Sequence, residues 1–262
     1  MNRRANVRFI SRLFVLVCLL SACRPSYQVV DVEGTMVAID STFDAHPDSL
    51  AVELLAPYKA KIDREMYRVI GTARQTLDKG RPESPLSNLI ADMLRQSAQP
   101  ITGKPADVAV MNMGGVRNIL TAGPITVDAI FEICPFDNAL CILTFKGKDL
   151  KQLFAEIASL GGEGLSGARL VITDEGRLLE ATVGGSPIDD EKLYTLATID
   201  YLAEGNDGML SMKKAVTRIC PEHSILRDLF IRYIEAQTAK KKAINAVTDG
   251  RIVVIKPDES TN

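Results

Sequence analysis

The sequence predicts a mixed α/β fold of the α+β kind, a mixed sheet with helices packed on it, from three observations. Strand-like and helix-like segments alternate through the first part of the chain, and strands cluster later. Hydrophobic residues make up 46% of the 262 positions, enough to build a core. Charge is balanced, with a formal net of −2, and no repeat or low-complexity run interrupts the pattern.

The first 23 residues, "MNRRANVRFISRLFVLVCLLSAC", stand apart from the fold. Arg3, Arg4, Arg8 and Arg12 precede the apolar run "LFVLVCLL", and small residues end at Cys23. This is the order of a secretory signal, and the apolar run is too short to span a bilayer permanently. Leu20-Ser21-Ala22-Cys23 resembles the bacterial lipobox, which implies cleavage before Cys23 and lipidation of that residue; an ordinary signal cleaved nearby is the alternative. Arg24 after the cysteine is compatible with the outer membrane of a two-membrane bacterium. The expected location is therefore the periplasmic face of a membrane, through a lipid anchor only.

Residues 24–46 read as a tether and an N-terminal hairpin, with "YQVVDV" and "TMVAID" flanking Glu33-Gly34. "PDSLAVELLAPYKAKIDREM" has helical spacing that Pro57 should break or kink. "YRVIGTARQTL" reads as extended. In "SPLSNLIADMLRQSA", Ser84 is positioned as an N-cap, Pro85 suits the first turn, and Leu86, Leu89, Ile90 and Leu94 form one apolar face. The strand "DVAVMNM" follows, then the short helix "TVDAIFEI", the strand "ALCILTF" and the helix "KGKDLKQLFAEIASL". Beyond the loop "GGEGLSG" come strands at "ARLVIT", "LLEATV" and "LYTLATI", the loop "EGNDG", the helix "SILRDLFIRYIEAQTAKK" and a last strand "GRIVVI". Residues 47–255 thus form the main domain, and 256–262 read as a disordered polar tail.

Composition narrows function. A net charge of −2 with no basic stripe gives no reason to expect a nucleic acid polymer. Cys134, Cys141 and Cys220 cannot all pair among themselves; buried free thiols and a Cys134–Cys141 bridge are the two readings. The stretch most suited to a ligand is "MNMGGVRN", residues 111–118. Its glycine pair allows close backbone approach, and Arg117 offers a fork of donors shaped for phosphate or carboxylate. A plain turn capped by Asn112 is the other reading of the same residues.

The segment "MNMGGVRNILTAGPITVDAIFEICPFDNALCILTFKGKDLKQLFAE" resembles the C-terminal domain of the 5′-nucleotidase family, in which Asn-x-Gly-Gly-x-Arg, Gly-Pro-Ile-Thr, Pro-Phe-x-Asn and a Gly-x-x-Leu helix occur in that order. "ESPLSNLIADMLR" upstream and "TIDYLAEGNDGM" downstream resemble further motifs of the family, so the resemblance covers about residues 47 to 255. It implies a domain that binds nucleotide or nucleoside rather than cleaving it. Asn112 and Arg117 would then lie on the phosphate side with Gly115 among the substrate-binding residues, Phe136 and Tyr201 would stack on the base, and Asn138 and Asp207 would bond base or ribose. Planar bases favour aromatic faces, and an ionised carboxylate accepts from two hydroxyls. Arg81, neighbour of Pro82 at the expected offset, would stand in for a further phosphate-side arginine. Tyr201 occupies a position more often held by phenylalanine.

The family's full-length enzymes carry a metallophosphoesterase domain before this one. Asp44-Ala45-His46 is similar to one of its motifs, but it stands alone, and His46 and His223 read as surface residues. The expectation is therefore no catalytic residue and no metal ligand in this chain, with two divalent metals held by a separate metallophosphoesterase chain. The alternatives are a stand-alone nucleoside- or nucleotide-binding lipoprotein and a degenerate domain kept for surface interactions.

Overall fold

The computed structural model describes residues 29–256. The signal segment, Cys23, the first residues of the expected hairpin and the tail after Lys256 lie outside the described residues. The chain divides into two units, residues 1–54 and 55–262. In the first unit, residues 29–39 carry no strand and are exposed. The hairpin expected around Glu33-Gly34 is therefore not formed: its Val and Ile side chains have no second layer to pack against, and an isolated hairpin is at best marginal in water. A 3₁₀ turn, Ser41–Ala45, is capped by Asp40, whose carboxylate accepts from Thr42 N at 3.0 Å.

Helix α1 (Ser49–Met66) runs through Pro57 without a break, contrary to the sequence expectation. Its flank is exposed throughout this stretch, so water can serve the carbonyl that proline leaves without a donor. Strand β1 (Val69–Ala73), helix α2 (Pro85–Ser97), the single turn α3 (Gln99–Thr102), β2 (Val108–Met111), β3 (Gly123–Thr126), α4 (Val127–Ile133), β4 (Leu140–Lys146) and α5 (Gly147–Ser159) follow in order. Next come β5 (Gly164–Ser166), β6 (Ala168–Thr173), β7 (Leu178–Val183), β8 (Ser186–Pro187), β9 (Leu193–Ile199), the turn α6 (Asp200–Ala203), β10 (Thr217–Ile219), α7 (Leu226–Ala239) and β11 (Ile252–Ile255).

A five-stranded sheet has the order β10-β4-β9-β2-β5, with β2 and β9 parallel and the other neighbours antiparallel. A four-stranded sheet, β11-β6-β7-β8, has one parallel pair at β11-β6, and β1 and β3 form an antiparallel ribbon. The mixed sheets and packed helices are those the sequence predicts. Strand β2 is buried along its whole length, as a central strand covered on both faces must be. Helix α2 packs on β2, β5 and β9 through Leu86, Leu89, Ile90 and Leu94, all buried. Ser84 caps it as expected, in a reciprocal arrangement with Ser87. Helix α5 covers β4 and β6 with Leu150, Leu153, Phe154 and Ile157, and α7 lies on β1 through Phe230 and Ile234.

Strands β3, β5 and β10 had no clear sequence signal. β3 contains Gly123-Pro124, β5 lies in the glycine loop, and β10 is three residues long. Among the cysteines, Cys141 of β4 pairs with Cys220, which follows β10, and Cys134 is free and buried. Neither reading of the cysteines anticipated this pairing, because β10, which carries Cys220 to β4, was not foreseen. Burial pushes the Cys134 thiol up to about 12, so it has no thiolate character at neutral pH. Among the described residues no helix is long and apolar enough to cross a membrane.

Candidate functional site

The topology brings four chain segments to one end of the five-stranded sheet. β2 and β9 are parallel neighbours, so the residues just after them, Asn112 and then Tyr201, leave the sheet on the same side. β4 runs antiparallel to β9 with Leu140 opposite Ile199, which places Asn138 beside the end of β9. β5 is antiparallel to β2 with Gly164 opposite Met111, which sets Glu163 beside the 113–115 turn. Ligand sites commonly form outside the carboxyl ends of parallel strands for this reason.

One cavity of about 410 Å³ lies there, lined by Asn112, Gly114, Gly115, Arg117, Phe136, Asn138, Tyr201 and Asp207. The structure thus gathers seven of the eight residues singled out in the sequence, and adds Gly114. Its two rings are half-exposed, Phe136 at 48% and Tyr201 at 42%. Arg117 is exposed, lies in no ion pair among the described residues, and directs Nη1 to Gly114 O at 3.2 Å. Its own backbone N–H is fixed to Ile133 O at 2.9 Å.

Asp207 is the most engaged polar group. Its Oδ2 accepts from Asn112 Nδ2 at 2.5 Å and its Oδ1 from the Tyr201 hydroxyl at 2.8 Å. The carboxylate holds that hydroxyl above the usual tyrosine range, so Tyr201 stays a donor. Asn112 is 3% exposed, and its Oδ1 has no hydrogen-bond partner among the described residues. A Cβ at Gly115 would lie 2.8 Å from that oxygen and 2.8 Å from the Met111 methyl, so a larger residue there would have to displace the Asn112 or Met111 side chain. One N–H of the Asn112 amide is therefore engaged by Asp207, and Arg117 is the cationic side chain of the cavity.

Arg81 does not line this cavity. It donates to Glu163 Oε1 and, through Nε, to Gly162 O at 2.8 Å, and it borders a neighbouring hollow with Lys79 and Gly114. Glu163 was not anticipated. Buried at 2%, it also accepts from Met113 N and so braces the 113–115 turn; a single acid in a glycine loop was its sequence signal. Arg227 of α7 was also missed. It pairs with Asp137 at 2.6 Å, lies 4.0 Å from the centre of the Phe131 ring and donates to Pro135 O, which fixes the loop carrying Phe136.

Burial pushes the Glu163 carboxyl above its ordinary value of 4.5, against the pull of Arg81 and Met113 N–H, and the charge of Asp207 adds to the rise. The folded state then holds this proton more tightly than the unfolded chain does. Its stabilising contribution is full below the ordinary value and is lost as pH rises through the raised one. Glu163→Gln should remove that loss, so the variant gains on wild type across this window in urea melts taken at successive pH values. Parallel curves for the two proteins would refute the assignment.

A two-metal hydrolytic centre needs several carboxylate or imidazole ligands converging on both ions. The cavity offers one carboxylate, already accepting two hydrogen bonds, beside a guanidinium, and these residues do not fit that role. His46 and His223 are both exposed, outside the cavity lining. Among the described residues no group of three or more His, Cys, Asp or Glu could hold a metal ion.

The family model described as 5′-nucleotidase, C-terminal domain, matches residues 69–215, more than half of the chain and most of the cavity-bearing fold. The chain belongs to this family. As a 5′-nucleotidase C-terminal domain it is 30% identical to the protein UshA of Yersinia enterocolitica over 200 residues, covering 70% of this chain and 36% of that protein. It is 32% identical to the cell wall protein Lmo0130 of Listeria monocytogenes over 190 residues, 65% of this chain and 24% of that one. Among solved structures, the 5′-nucleotidase precursor of Thermus thermophilus superposes with a TM-score of 0.67 at 27% identity, covering 81% of this chain and 44% of that one. The chain spans less than half the length of each of these relatives.

Proposed function

We propose that this chain is the nucleotide-recognition domain of an exported, lipid-anchored 5′-nucleotidase-type system, with hydrolysis supplied by a separate metallophosphatase chain that holds two divalent metals. The observation that carries the reading is the cavity in which two half-exposed rings, Phe136 and Tyr201, meet a carboxylate and a guanidinium that has no ion-pair partner among the described residues. Rings suit a base, the Asp207 carboxylate suits sugar hydroxyls, Asn138 suits a base edge, and Arg117 suits a phosphate. Arg81 enters the proposal only from the neighbouring hollow, where its ion pair with Glu163 leaves its remaining donors toward solvent.

In this reading the chain binds and orients. It holds the base and sugar so that the phosphate points out of the cavity, and the entropy of that placement is met before the partner acts. The similarity to a cell wall protein supports export, and the "LSAC" ending supports lipidation at Cys23.

Base–aromatic stacking contributes about 1–3 kcal/mol per base, so Phe136→Ala and Tyr201→Ala should each weaken AMP and adenosine by similar factors in titration calorimetry. Unaltered affinity for both ligands in both variants would sink the stacking roles. For the wider system, capture of the chain from solubilised membranes should yield phosphatase activity in the complex and none in the isolated chain, and Cys23→Ser should release the protein from membranes or leave its signal uncut, which mass spectrometry of its first residues would show. Hydrolysis that stays with the pure chain would overturn the division of labour.

A further inference from the structure

Asp207 stands on an exposed loop in the left-handed backbone region, at φ 53°, followed by Gly208 at φ 79°. An aspartate there has no packing of its own to fix its carboxylate. Two donors supply that fixation from different strands: the buried Asn112 amide after β2 holds Oδ2, and the Tyr201 hydroxyl after β9 holds Oδ1. The two grips differ in what else they do. The Asn112 amide belongs to the wall of the cavity, whereas the Tyr201 hydroxyl is added to a ring that would serve a base equally well without it.

We infer that the Tyr201 hydroxyl is a specificity-determining group, which holds the Asp207 carboxylate in one orientation and so makes the cavity select ligands with two vicinal hydroxyls over those with one. This rests on the nucleotide reading of the cavity. A carboxylate oxygen can accept two hydrogen bonds, so after Asn112 and Tyr201 have each taken one, each oxygen keeps one acceptor site. Both sites belong to one carboxylate held at each oxygen, so a vicinal diol can meet them together. A ligand that lacks one hydroxyl covers both oxygens but satisfies only one, and a held carboxylate cannot turn away to recover a partner. Sites built to bond a hydroxyl reject the analogue without it for this reason. Once the Tyr201 hydroxyl is removed, Oδ1 is released, the carboxylate can turn about its Asn112 contact, and the penalty on the one-hydroxyl ligand falls.

The test is titration calorimetry of the full folded chain with adenosine and 2′-deoxyadenosine. Wild type should prefer adenosine. Tyr201→Phe, which keeps the ring, should reduce that preference by about three- to tenfold, the scale of one ordinary net hydrogen bond, and Asp207→Ala should erase it. Equal binding of both sugars by wild type overturns the inference, as does an undiminished preference in Tyr201→Phe. If wild type binds adenosine, deoxyadenosine and AMP not at all, the nucleotide reading itself fails and takes this inference with it.

Discussion

Arg117→Ala is expected to weaken AMP binding by about ten- to a hundredfold while leaving adenosine nearly unchanged, because a charge-assisted hydrogen bond contributes about 1.5–3 kcal/mol and only AMP carries its partner. The structure makes the substitution a clean one. The side chain is exposed, has no carboxylate partner among the described residues, and makes one contact of 3.2 Å to Gly114 O, so its loss leaves no buried group without a partner. The turn is held instead by backbone bonds and by Glu163 beneath Met113. Titration calorimetry with both ligands decides the matter, with circular dichroism to show that the variant is folded. Equal losses for AMP and adenosine would mean that Arg117 supports the turn and meets no phosphate. A Lys at this position should recover part of the AMP affinity, since it restores the charge without the planar fork.

The fold and the lining of the cavity were legible in the sequence to different degrees. Helices α2 and α5 announced themselves through apolar residues at three- and four-residue spacing, and Ser84 with Pro85 marked where α2 begins. Asn112, Arg117, Phe136, Asn138, Tyr201 and Asp207 were found as members of ordered motifs, before anything placed them around one space. What could not be read was relation across strands. The 2.5 Å contact of Asn112 with Asp207 joins residues 95 positions apart, and a local reading of "MNMGGVRN" assigns that amide to a turn or to phosphate instead. Glu163 and Arg227 act on motif loops from elements that carry no motif of their own. The Cys141–Cys220 pairing depended on β10, whose three residues are too few for any periodicity to show. The expected N-terminal hairpin had strand-forming residues on either side of Glu33-Gly34, but its described residues have no surface to bury them.

Gly147→Ala should destabilise the protein by about 3 kcal/mol or more, although alanine is the better helix former and the position opens α5. The reason is a close approach that the "GKDL" motif encodes without explaining. β4 passes into α5 with no loop between them, and the first helical N–H groups find their acceptors in the segment before β9: Gly147 N donates to Lys192 O at 3.0 Å and Lys148 N to Asp190 O at 3.2 Å. That capping draws the two backbones together until a Cβ at residue 147 would lie 1.9 Å from Asp189 O and 2.7 Å from its carbonyl carbon. A flexible side chain could give way at such a distance, but a backbone carbonyl cannot move alone. Leu193, four residues on, is registered against Lys146 in the sheet, so relief at Asp189 must disturb either the helix start or the β4-β9 ladder. Gly80→Ala is the control, since a Cβ there meets nothing within 4 Å, and its expected effect is within about 0.5 kcal/mol. Urea denaturation of both variants gives the comparison, and equal midpoints would show that the contact relaxes at no cost. The junction lies at the end of β4 opposite Leu140 and the cavity, so the folded fraction of Gly147→Ala should bind adenosine with wild-type affinity. An affinity loss in fully folded protein would instead mean that strain at this end of the sheet reaches Asn138 and Tyr201 through the paired strands.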